Sequence, residues 1–176
     1  LFALHRICGW DNPTVDLIPL FETVDDLRAS KEIMNSLYTN PVYSAHLKSR
    51  NMKQTIMLGF SDGTKDGGYF MANWSIYKAK EELSDVSNDY GVAVAFFDGR
   101  GGPPARGGGN THQFYASMGD RIKADDIQLT VQGQTISSNF GTVDSSQFNL
   151  EQLLSSGISN QVFKNDDNHL ADEDRI

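Results

Sequence analysis

Four short apolar runs punctuate the chain: Asp16–Phe21, Gln54–Phe60, Gly91–Phe97 and Ile127–Val131. Three of them are almost continuously apolar instead of alternating, the pattern of strands covered on both faces, as in parallel sheets. Pro19 interrupts the first run, where it removes a ladder donor. Between the runs the period becomes helical. Val24–Thr39 sets Leu27, Met34 and Leu37 on one face and carries Asp25 and Asp26 in its first turn, where carboxylates suit the helix dipole. Phe70–Val86 repeats Ala72, Ile76, Ala79, Leu83 and Val86 at spacings of 4, 3, 4 and 3. Pro41–Arg50 reads as a further short helix. Ser146–Ser156 reads as one that closes at Gly157, a natural residue just past a helix end. Leu1–Trp10 reads as the end of an element already under way.

Strands and helices therefore alternate, and such repetition predicts a parallel sheet or barrel. The apolar runs end at 21, 60, 97 and 131. A (β/α)₈ barrel averages about 31 residues per unit. These units are slightly longer, so 176 residues supply between four and five of them. The expected architecture is α/β: about half of a (β/α)₈ TIM-type barrel, residues 1–176 forming a single segment with no dividing linker. Residues 164–176 hold five acids and two bases and read as a solvated acidic end.

Composition narrows the functions. The chain has 15 Lys+Arg against 23 Asp+Glu, a formal charge of −8, which argues against a general nucleic-acid or anionic-membrane binder. With 39% hydrophobic residues it can bury a core. The longest apolar run, Val92–Phe97, is far too short to span a membrane. Cys8 is the only cysteine; it excludes an internal disulfide, fits a reducing compartment and reads as a buried thiol. Trp10 and Trp74 are expected in cores. His5, His46, His112 and His169 show no metal-ligand spacing and read as structural or exposed.

Polar residues gather just after each apolar run: Glu22-Thr23, then Ser61 to Gly68 (SDGTKDGG), then Asp98 with Gly99–Gly109 (GRGGPPARGGG), then Gln132-Gly133-Gln134. In parallel α/β folds these strand ends share one edge, where sites assemble. Glu22, Asp62, Lys65, Asp98, Arg100 and Arg106 can converge there. Gly99–Gly109 holds 6 of the 16 glycines, two arginines and no acid. Glycines let backbone N–H groups approach an anion, and arginine grips phosphate or carboxylate bidentately. The alternative is a flexible surface loop with solvated arginines. Glu22 and Asp62 are either two carboxylates for a hard divalent cation or residues at helix starts. Lys65 is either a substrate clamp or a partner for Asp66.

The segments PLFET (Pro19–Thr23), LGFSDGTKDGG (Leu58–Gly68), FFDGRGGPPARGGGNTH (Phe96–His112) and QGQTISSNFGT (Gln132–Thr142) together resemble phosphoenolpyruvate carboxylase, in order and in spacing. The resemblance spans nearly the whole chain. It implies a (β/α)₈ barrel enzyme that joins phosphoenolpyruvate to bicarbonate with Mg²⁺ or Mn²⁺, giving oxaloacetate and phosphate through carboxyphosphate and an enolate. It further implies a cytoplasmic homotetramer for the full-length enzyme. By the same resemblance Glu22 and Asp62 are the metal ligands. Arg100, with Gly101 and Gly102, binds the substrate phosphate. Arg106 rides on a mobile loop, residues 99–109, that closes over the intermediates. Lys65 and Asp98 complete the catalytic set. Two positions depart from the family pattern: Asp98 stands where histidine is usual and Gln134 where glutamate is usual. Asp98 can instead pair with Arg100. The family's TAHPT histidine motif is absent from this segment, so the isolated segment is expected to be inactive. Two other readings are an anion- or RNA-binding module that uses the RGG triplets, and a self-standing open sheet whose exposed edges favour association.

Overall fold

The computed structural model of the chain describes residues 1–10, 13–100, 109–118, 122 and 126–162. Among the described residues four strands lie in the order β1 (Leu20–Phe21), β2 (Lys53–Gly59), β3 (Ala93–Gly99) and β4 (Ile127–Leu129). Every neighbouring pair is parallel, and Phe21, Leu58, Asp98 and Leu129 form one row across the sheet. Helices alternate with them, seven among the described residues: α1 (Phe2–Ile7), α2 (Val24–Thr39), α3 (Pro41–Ser49), α4 (Ser61–Asp89), α5 (Thr111–Ala116), α6 (Gln134–Phe140) and α7 (Val143–Val162). This is the α/β alternation expected from the sequence, and it is compatible with a stretch of a (β/α)₈ barrel.

Local chemistry explains the element boundaries. Pro19 shortens the first strand to the two residues that follow it, while its carbonyl still accepts from the Met57 amide at 2.9 Å. Helix α2 starts at a capping box: Thr23 Oγ1 accepts from the Asp26 amide and Asp26 Oδ2 from the Thr23 amide, each at 3.1 Å. The Asn40 side chain caps α3 by accepting from the Val42 and Tyr43 amides.

Several expectations need correction. The helix expected over Phe70–Val86 begins earlier: Ser61 to Gly68 forms the first turns of α4, with Asp62 at a helix start, and Gly68, at φ 79° and ψ 167°, kinks the helix there. Only glycine adopts that backbone freely. Helix α7 runs through Gly157 instead of stopping at it. Cys8 is exposed, as are Trp10 and Trp74; Trp74 stacks on Tyr77 with Lys78 over its ring.

The core lies between the sheet and the α2–α4 layer. Leu27 and Met34 of α2 and Ile76 and Leu83 of α4 pack with Ile56, Leu58, Phe60, Val94 and Phe96. The strand residues in that set alternate by two, so they share one face of the sheet. On the other face Thr55, Met57 and Phe97 are only half-buried and Lys53 and Ala93 are exposed. Ala95 is buried there too, so the expectation of strands sealed on both faces holds in full for the helix-covered face and only in part for the other. Among the described residues no helix is long and apolar enough to cross a membrane.

Candidate active site

Parallel pairing puts the C-terminal ends of all four strands on one edge. The residues singled out after each strand collect there in two groups.

The first group surrounds Glu22, which follows β1, and Asp62, in the first turn of α4. Glu22 is packed against the end of β2: a Cβ built on Gly59 would stand 2.9 Å from Glu22 Cγ and 3.1 Å from its Cα. Gly63 lets the first turn of α4 close on the same residue, since a Cβ there would stand 3.2 Å from the Glu22 carbonyl oxygen. Both glycines thus serve a close approach. Lys65 Nζ donates to Asp62 Oδ1 at 2.6 Å, so its partner is Asp62 and not Asp66. Asp66 instead accepts from the Val24 amide and ties α4 to the start of α2. Among the described residues no three His, Cys, Asp or Glu side chains gather to hold an ion by themselves. Two half-buried carboxylates, Glu22 and Asp62, are nonetheless the donor type that a hard divalent cation takes when substrate and water oxygens complete its shell.

The second group is built around the end of β3. Asp98 is sealed, with its side chain 1% exposed and that of its ion-pair partner Lys80 2% exposed. Lys80 Nζ lies 2.8 Å from each carboxylate oxygen, and the Tyr115 hydroxyl donates to Oδ2 at 2.7 Å. The partner of Asp98 is thus Lys80, not Arg100. Arg100 is itself 4% exposed, and its guanidinium carbon sits 4.1 Å from the Phe114 ring centre and 5.5 Å from that of Phe60. Its Nε and Nη1 are buried and have no hydrogen-bond partner among the described residues. Burial lowers the Arg100 pKa from its ordinary value, with Tyr69, Tyr115 and Asp98 pulling the other way. Burial likewise lowers that of Lys80, against the pull of Asp98, and raises that of Tyr115, where the Asp98 charge adds to the effect.

Arg100 opens on a small cleft of about 40 Å³ shared with Gly109, Thr111, Leu129 and Thr130. An adjoining cleft of about 520 Å³ is lined by Gly109, Thr111, His112 and Gln134. Two residues noted in the sequence, His112 and Gln134, therefore line one cavity. Gly101, Gly102 and Arg106, with most of the 99–109 loop, lie outside the described residues, as does the 164–176 end. Sequence reasoning missed Lys80, Phe114 and Tyr115. The signal for Lys80 was its place four residues after Ile76, on the apolar stripe of α4, where an unpaired lysine is costly.

A family model described as Phosphoenolpyruvate carboxylase matches residues 2–173. Similar proteins include the phosphoenolpyruvate carboxylase of Nitrosomonas eutropha, 41% identical over 156 residues, which cover 89% of this chain and 17% of that protein. The protein of that name from Corynebacterium glutamicum is 39% identical over 167 residues, covering 94% of this chain and 18% of its own. The chain thus spans less than a fifth of the length of these relatives.

Proposed function

The chain belongs to the phosphoenolpyruvate carboxylase family, and from that premise we propose that it forms part of the catalytic barrel of an enzyme that carboxylates phosphoenolpyruvate. The observation that carries the reading is Arg100: a buried guanidinium whose Nε and Nη1 have no hydrogen-bond partner among the described residues, on the same sheet edge as the carboxylates Glu22 and Asp62. A buried cation with free donors is an anion site prepared in advance.

In the proposed reaction the phosphoryl group leaves the enol oxygen of phosphoenolpyruvate for a bicarbonate oxygen. The enolate carbon then bonds to the carboxyl carbon of carboxyphosphate as the bond from that carbon to the phosphate oxygen breaks, giving oxaloacetate and phosphate, and the proton of bicarbonate leaves with the phosphate. Arg100 binds the phosphate and neutralises charge as it moves. Gly101 and Gly102 offer backbone N–H groups beside it, and Arg106 closes the loop over the intermediates to keep water out. Glu22 and Asp62 would hold Mg²⁺ or Mn²⁺, which supplies charge neutralisation for the phosphoryl group and the enolate. Lys65 orients the Asp62 carboxylate through its 2.6 Å contact. The reading includes a cytoplasmic homotetramer as the full-length enzyme, with the isolated segment inactive.

The test is oxaloacetate formation by the full-length protein, followed through its coupled reduction. Arg100→Ala is expected to lower kcat/KM by a factor of about a hundred or more. A wild-type rate in that variant would overturn the assignment.

A further inference from the structure

Asp98 does not face the carboxylate group of the site. It shares a row with Leu58, whereas the next residue of β2, Gly59, points its Cβ position at Glu22. Alternation along the strand puts Asp98 on the opposite face, under α4. There Lys80 and Tyr115 hold it, with neither Lys80 nor Asp98 reaching solvent. An acid enclosed in this way has no path to a reacting atom.

It does have a path to Arg100. The Phe114 ring carries two cations, Lys80 Nζ at 5.1 Å and Arg100 Cζ at 4.1 Å from its centre. Phe114 also meets Phe60 and Tyr115 edge-on. Two buried cations on one ring repel each other, and Asp98 is the buried anion beside them. Two cations and one anion leave a single net positive charge. Because Lys80 occupies Asp98, that surplus remains on Arg100, whose Nε and Nη1 have no partner among the described residues.

We propose that Lys80, Asp98 and Tyr115 are positioning residues that fix the Phe114–Arg100 stack and keep the guanidinium available to its anionic substrate, with Asp98 acting as a counter-ion and not as an acid or base toward substrate. The inference rests on the reading of Arg100 as the phosphate-binding residue. Without Lys80, Asp98 becomes a competing anion for Arg100. Removing both charges removes the competition.

The test is steady-state kinetics of the full-length protein with phosphoenolpyruvate, with circular dichroism to establish folding. Lys80→Met is expected to raise KM about tenfold or more while kcat changes by less than about threefold. Tyr115→Phe, which keeps the ring and loses only the hydroxyl, is expected to raise KM by about threefold. The double variant Lys80→Met/Asp98→Asn is expected to recover most of the lost affinity. Should Lys80→Met fail to fold, Tyr115→Phe and the double variant decide the matter. A fall in kcat of about a hundredfold in Asp98→Asn at unchanged KM would assign Asp98 to the chemistry and overturn the proposal. So would unchanged KM in folded Lys80→Met and Tyr115→Phe, which would leave the network merely structural. Unchanged KM in Arg100→Lys would instead sink the reading of Arg100 itself, a separate outcome.

Discussion

Glu22 and Asp98 show how residues of one charge come to differ by environment. Glu22 sits at a strand end against two glycines, half-buried and facing the edge of the sheet. Asp98 is two strands away, on the other face, and sealed by a lysine and a tyrosine. Position after a strand was legible for both in the sequence. Which face each occupies was not, because it depends on register and on what α4 and α5 bring over the sheet. Gly59 offers a direct probe of the first environment. Gly59→Ala would force a Cβ to 2.9 Å from Glu22 Cγ, so the Glu22 side chain and backbone must move. We expect about tenfold or greater loss of kcat/KM, with a stability cost of about 1–3 kcal/mol typical of overpacking. The assay and a denaturant titration, read together, separate the two effects. An unchanged rate would show that Glu22 is free to shift without consequence.

At the scale of elements, the strongest sequence signals were periodic and local. The bounds of α2 follow from its apolar face, its acidic first turn and Thr23. Helix α4 was legible only from Phe70 onward, because the glycines Gly63, Gly67 and Gly68 carry no apolar period, and α5 and α6 are too short to carry one. Gly157 misled because a glycine inside a helix costs only about 1 kcal/mol, which neighbouring contacts can offset. The capping box of α2 has a pH signature. Hydrogen bonds from the Thr23 amide and side chain hold the Asp26 carboxyl below its ordinary value of 3.8. Its contribution is therefore complete above that value and disappears as pH falls through the lower, folded-state value. Thr23→Ala is expected to cost about 1 kcal/mol near neutral pH. Asp26→Asn should flatten the acid limb of a stability–pH curve in the same window. If the acid limb of Asp26→Asn superimposes on that of the parent, Asp26 contributes nothing through its charge.

At the scale of the molecule, the described residues form a four-stranded parallel sheet with one face sealed and the other half-covered. Two- and three-residue strands end it on either side, and α7 leaves Val143, Phe148, Leu154 and Val162 exposed. We expect the isolated chain to self-associate at micromolar concentration, through its apolar surface and open edges. Light scattering on a gel-filtration column checks this, and a sharply monomeric species that unfolds cooperatively would contradict it. Strand spacing made the βα repetition visible in the sequence, but the second cover of the sheet involves contacts that no local pattern encodes. This edge of the sheet is proposed above to belong to a metal-dependent carboxylase site. The most direct measurement is oxaloacetate production by the full-length protein from phosphoenolpyruvate and bicarbonate, with and without Mg²⁺, for the parent and for Glu22→Gln/Asp62→Asn. Mg²⁺-dependent turnover is expected in the parent and a loss of at least about a hundredfold in the variant. Undiminished, Mg²⁺-dependent turnover in the folded variant would contradict it.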